Sequence, residues 1–275
     1  MKYFNLKLLM FFVFGTLITS CSDDNGSEPI IDTTSSFVGD PFTTTWETTA
    51  DNQALSTFVL WGFGFDTSID WGDGTTSLNQ ESGLMVHTYD TAGTYVIKFY
   101  GDYPRLKVSD LDRLKLKSVD NWGDQEWDYM AGFFFNCENL VVNATDIPNT
   151  SNVLNMTRMF YNATSFNQDI NGWDVSKVTN MNHMFYNATN FNQDLGNWDV
   201  GNVLYMESMF NNATNFNQDI GGWDVSNVFH MKKMFYNATN FNQDLGDWHT
   251  SNVVECANFG FNSGMSPSSF PVACN

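Results

Sequence analysis

Basic residues are scarce in this chain: 12 Lys and Arg stand against 31 Asp and Glu in 275 residues, a formal charge of −19. Phosphate binding needs a basic footprint, so no nucleic-acid partner is expected. There are four histidines, His87, His183, His230 and His249, and none has Cys or carboxylate partners at metal-ligand spacing. No Gly-rich phosphate loop follows a strand and no nucleophile elbow occurs. The chain therefore reads as a non-enzyme, with no catalytic, cofactor-binding or metal-ligating residue to assign. Four cysteines leave little redox chemistry. Cys137 falls where the later repeats carry Ala, which fits a small buried role. Cys256 and Cys274 can form a disulfide that staples the last repeat in an oxidising compartment. The apolar run Leu8 to Leu17 is too short to span a bilayer.

That run follows Lys2 and Lys7 and ends in Leu17-Ile18-Thr19-Ser20-Cys21, which resembles a lipobox. The resemblance implies a lipoprotein signal peptide over 1–20, cleavage before Cys21, and a membrane anchor of acyl chains on that thiol. Each buried methylene adds about 0.8 kcal/mol, so several chains anchor stably. Loss of Lys2 and Lys7 takes the charge from −19 to −21. Residues 21–36 are polar, acidic and Thr/Ser-rich, the composition of a flexible tether. Acidic residues directly after the lipidated Cys resemble an export signal, so the expected location is the outer membrane, lipid-anchored and exposed at the cell surface.

Self-similarity is what the sequence has in plenty. Asn-Ala-Thr-Asn-Phe-Asn-Gln-Asp is identical at 187–194, 212–219 and 237–244, and recurs at 162–169 with Ser165 in place of Asn. A 25-residue period signals a stacked array, because one such unit cannot bury its apolar face alone. Met181, Met184 and Phe185 stand at i, i+3, i+4, which predicts one inward-facing helical turn. Asn187-Ala188-Thr189 breaks that turn, Phe191 and Leu195 anchor a short extended piece, and Trp198, Val200 and Val203 fill the return. The Met156, Phe160, Phe166 and Trp173 columns are expected to stack as core. Asn167 and its equivalents are expected to bond successive backbones. The Asp169 and Asp174 columns either cap turns or share calcium, although the usual calcium β-roll spacing is absent.

Residues 37–108 alternate and turn like an antiparallel β domain, with Asp73-Gly74 as a hairpin signal. Trp71-Gly72-Asp73-Gly74, His87-Thr88-Tyr89 and Ala92-Gly93-Thr94-Tyr95 resemble the PKD-type immunoglobulin-like module, which implies a β-sandwich. The motif Met-x-x-Met-Phe-x-Asn-Ala-x-x-Phe-Asn-Gln-Asp with Trp-Asp-Val resembles the 25/26-residue repeat of bacterial surface lipoproteins, related to BspA-like leucine-rich repeats. Gly132 to Leu140 mirrors the corner of the latter. The resemblance implies an α+β protein: an immunoglobulin-like sandwich over 37–108, then a leucine-rich-repeat-like solenoid of about five coils. The solenoid divides into a cap with a degenerate repeat at 109–155, four repeats at 156–255 and a C-terminal cap at 256–275.

Variation between copies marks positions that stacking does not dictate. The variable columns are Leu154/Thr179/Leu204/Phe229, Asn155/Asn180/Tyr205/His230, Thr157/Asn182/Glu207/Lys232 and Arg158/His183/Ser208/Lys233. Tyr205, Phe229 and His230 are the candidate binding residues, a mixed aromatic patch suited to an extracellular protein or glycan. The expected function is a cell-surface adhesion or interaction scaffold. The alternative is an accessory subunit of a surface nutrient-uptake complex or a structural spacer.

Overall fold

The computed structural model describes residues 37–60, 66–80, 82–103 and 105–274. The signal peptide, the tether and the Cys21 lipidation site lie outside them.

Nine strands form two sheets. They are β1 (Phe42–Thr48), β2 (Gln53–Leu60), β3 (Thr67–Asp70), β4 (Thr76–Gln80), β5 (Gly83–Tyr89), β6 (Gly93–Gly101), β7 (Leu106–Val108), β8 (Leu116–Asn121) and β9 (Val141–Val142). The larger sheet runs β4-β3-β6-β1-β8-β9 and the smaller β5-β2-β7. All pairings are antiparallel except β8 with β9. The two sheets meet through aromatic rings: Phe58 of β2 packs on Phe42 and Trp46 of β1 and on Phe99 of β6, at 5.2–5.7 Å. Gly72 has φ +79, and a Cβ there would collide with the Val96 carbonyl, so the Trp-Gly-Asp-Gly turn needs its glycine.

Two parts of the expected architecture are corrected here. The class is not α+β: no α-helix occurs among the described residues, which hold strands, short 3-10 turns and irregular turns. Nor do the repeats build a leucine-rich-repeat-like solenoid, because no copy contains a strand. The β pairing between copies is limited to one-residue parallel bridges, Asn155–Asn180–Tyr205–His230–Glu255. Of the expectation, the two-sheet β arrangement is found in part. Its larger sheet takes β8 and β9 from beyond residue 108.

The physical reason lies in the amide donors. Met181, His183, Phe185 and Asn187 donate to the carbonyls of Tyr205, Glu207, Met209 and Asn211 in the next copy, at 2.7–2.9 Å. The alternate residues Met184, Tyr186 and Ala188 donate three residues back, at 3.1–3.2 Å. His183 and Asn187 have φ +59 and +56, left-handed values that no helix contains. Met181, Met184 and Phe185 are fully buried, as their spacing suggests, but on a chain of turns.

Stacking carries the core from copy to copy. Phe160, Phe185, Phe210 and Phe235 follow one another at 5.4–5.6 Å with planes within 9°. Phe166, Phe191, Phe216 and Phe241 form a second column at 5.6–5.9 Å. Trp198, Trp223 and Trp248 each tie two copies together, the Trp223 indole N–H donating to the Leu195 carbonyl at 3.0 Å. Trp122 continues the core across the β8–β9 region, stacking on Phe42 at 5.7 Å and meeting Trp173 edge-on at 5.3 Å. Cys137 is buried in that core, and burial pushes its thiol pKa up, away from reactivity.

Asparagine solves the recurring left-handed corner. Asn136, Asn162, Asn187, Asn212, Asn237 and Asn262 all have φ between +56 and +58. Their amides also form a ladder: Asn162 Nδ2 donates to Asn136 Oδ1 at 2.7 Å, and Asn187 Nδ2 to Asn162 Oδ1 at 3.0 Å. Alanine at 162 takes on a left-handed penalty of about 1–2 kcal/mol. It also loses two ladder bonds worth roughly 0.5–1.5 kcal/mol each. Glycine removes the first cost and keeps the second. Urea unfolding is expected to rank the parent above Asn162→Gly and that above Asn162→Ala. A glycine variant weaker than the alanine one would show that backbone strain is not what asparagine relieves.

Candidate functional site

The variable columns lie beside the one-residue bridges. Tyr205 and His230 occupy successive bridge positions, and their rings stack at 5.5 Å. Phe229 belongs to the adjoining column, where Thr179, Leu204, Phe229 and Val254 each donate a backbone N–H to the carbonyl one copy back, at 2.9 Å. Tyr205 is 37% exposed and Phe229 39%, and Leu154 and Val254 stand out further in Phe229's column. The structure thus brings Tyr205 and His230 together. Phe229 is a neighbour by sequence with no ring contact to either.

The Arg158/His183/Ser208/Lys233 column has a backbone property that the sequence does not announce. All four residues have φ between +54 and +59, and Asn258 continues the column at +57. Left-handed backbone outside Gly and Asn costs of order 1 kcal/mol per residue. Four different side chains share that conformation, so the inter-copy hydrogen bonds impose it.

A second strip escaped the sequence reading. Phe135, Tyr161 and Tyr186 stack at 5.0 and 4.6 Å, and Tyr236 stacks on Phe261 at 5.3 Å. Their signal in the sequence is an aromatic after Phe134, Phe160, Phe185 and Phe235, masked by the Met-Phe core pattern next to it. Two open clefts border this strip. One, of about 770 Å³, is lined by Arg105, Lys107, Tyr129, Gly132, Asn155 and Arg158 among others. Arg105 there is held bidentately by Asp128, and the Lys107 ammonium sits 5.7 Å above the Phe135 ring. The other, of about 530 Å³, lies around His183, Glu207, Ser208, Asn211 and Lys233. Phe135 and Arg158 line both.

The aspartate columns cap turns. Asp169, Asp194, Asp219 and Asp244 each accept the backbone N–H two residues on, at 2.8–3.0 Å. Asp174 accepts from both the backbone and the hydroxyl of Ser176, and these bonds hold its carboxyl below the usual range. Among the described residues, no group of three or more His, Cys, Asp or Glu is placed to hold a metal ion.

The two-sheet region has its own polar cluster. His87 stacks on Trp71 at 4.9 Å and places Nε2 2.7 Å from Asp73 Oδ2, while Asp73 Oδ1 accepts from the Thr75 amide and hydroxyl. Burial by itself raises the Asp73 pKa, but the bonds from Thr75 and His87 outweigh it and leave the carboxyl lowered. Each group is used in fixing the turn. At the C-terminal end Cys256 and Cys274 are bridged, with Cα atoms 5.2 Å apart.

The chain belongs to the family described as "Mycoplasma protein of unknown function, DUF285", whose model matches residues 107–204 and again 172–266, together more than half of the sequence. No curated protein and no solved structure matches it.

His183 gives the strip a pH dependence. Burial, then the nearby Arg158 charge, lowers its pKa below the ordinary 6.5, and its Nδ1 is buried without a partner. As pH falls through 6.5 the unfolded chain takes up a proton that the folded chain refuses, so stability declines until the lower folded value is reached. The drop in Tm between about pH 7.5 and about pH 5 is expected to shrink in His183→Gln. An unchanged drop would place the acid sensitivity elsewhere.

Proposed function

We propose that this chain is a lipid-anchored cell-surface protein whose repeat array serves as an interaction scaffold for an extracellular protein or glycan. One observation carries the reading: side chains that differ between copies form columns that are exposed or partly exposed except at Ser208, while the apolar ones that repeat form the buried stack. A scaffold with a fixed interior and a freely varied surface is how repeat proteins present a binding face. The stacked pair Tyr205 and His230, with Phe229 beside it, supplies large, rigid contact area at the centre of that face. The lipobox-like sequence at Cys21 and the acidic tether behind it support the anchored, outer-membrane part of the reading. The Asp columns repeat in every copy, which is unlike a unique catalytic centre, and no chemistry is assigned to them.

The test is capture of partners on intact cells by the parent chain and by a variant with Tyr205→Ala, Phe229→Ala and His230→Ala together. The variant is expected to retain its thermal unfolding and lose roughly tenfold or more in captured partner, as removal of a central aromatic cluster does. Equal capture by both chains would remove these residues from the binding face. Co-purification of a transporter in place of a matrix or cell-surface component would favour an uptake accessory.

A further inference from the structure

The exposed aromatic column steps evenly from copy to copy and then misses one ring. Phe135, Tyr161 and Tyr186 form one stacked run and Tyr236 with Phe261 another, but the position between Tyr186 and Tyr236 is held by Asn211. Two copy-to-copy steps separate those tyrosines, roughly 10 Å at the usual ~4.8 Å between hydrogen-bonded backbones. The missing member leaves room for one ring. The adjoining left-handed column is cut back at the same level, where Ser208 replaces the Arg158, His183 and Lys233 of the other copies. Asn211 and Ser208 are each 4% exposed, so they floor the cleft of about 530 Å³ and do not project into it.

We propose that this gap is a carbohydrate-binding slot that takes one pyranose ring between the Tyr186 face and Lys233. A sugar offers apolar C–H faces to flanking aromatic rings and a rim of hydroxyls to polar groups at its edge. The lining matches that division. The Tyr186 face stands on one side, with the Asn211 amide, the Ser208 hydroxyl, the Glu207 carboxylate and the Lys233 ammonium around the rest of the cleft. Tyr236 itself does not line the cleft: the Lys233 ammonium, 5.5 Å over its ring centre, forms one wall. The His183 ring lies 5.9 Å from that of Tyr186, at the other, and its Nδ1 is a buried polar atom with no protein partner. An aromatic side chain from a protein would stack as well but offer these edge groups no hydroxyls to pair with. Glu207 and Lys233 carry opposite charges, so a neutral sugar is favoured over an anionic or cationic one.

The slot deepens the scaffold reading and rests on it for its setting, but its chemistry is independent of Tyr205, Phe229 and His230. The decisive variant is Asn211→Tyr, which restores the residue found at this position in the copies on both sides and fills the gap. The full chain is titrated with methyl mannopyranoside, methyl galactopyranoside and N-acetylglucosamine under saturation-transfer NMR. At least one sugar is expected to bind the parent and to lose roughly tenfold or more in affinity in Asn211→Tyr. The variant's thermal unfolding is expected to be unchanged or raised, and Tyr186→Ala to weaken the same sugar. Absence of binding by all three sugars, equal binding in Asn211→Tyr, or binding of tryptophan amide instead of sugar overturns the slot. The triple alanine variant at 205, 229 and 230 keeps the sugar, so loss of partner capture there and loss of sugar here are separate results.

Discussion

The segment that opens each repeat sends every second amide to its own turn and the others to the next copy. A single 25-residue unit thus has half of those donors unpaired until a neighbour arrives, and buried unpaired amides are too costly to persist. The array must therefore form as a stack, with something at each end to supply what a missing copy would. At one end the β8–β9 region does so, leading from the sheet through Trp127 and Asn149 to the first copy. At the other, the bridged C-terminal segment takes that place. Ser269 accepts the amide of Leu245, and Thr250 accepts that of Ala273.

Backbone conformation follows from the same constraint. To aim alternate amides at different partners the chain must pass through left-handed φ twice per copy. One of these sites is always asparagine, whose side chain tolerates that region and bonds to its equivalent in the adjacent copy. The other site accepts Arg, His, Ser, Lys and Asn. Its conformation is held by the ladder, so its side chain is free to vary. The array thus separates positions that maintain it from positions that are free to vary, and both kinds recur at fixed spacing.

The two-sheet region and the repeats share one hydrophobic cluster, joined through Trp122 and Phe133. Joined through tryptophan and phenylalanine, the two parts pack as one core that carries the variable columns.

Periodicity alone determined that the copies stack like onto like, that Met, Phe and Trp columns are core, and which columns vary. Those follow from repetition and hydrophobic spacing, which are properties of the sequence itself. The helical turn read from Met181, Met184 and Phe185 shows the limit of such reading. The i, i+3, i+4 spacing says which side chains point inward, and a left-handed turn meets it as well as a helix does. Only the tertiary structure decided between them, because the choice depends on whether the Phe185 amide finds its acceptor four residues back or in the next copy. The same holds for the gap at Asn211. In the sequence it is one asparagine beside another, and it becomes a vacancy only when rings distant along the chain are stacked into a column.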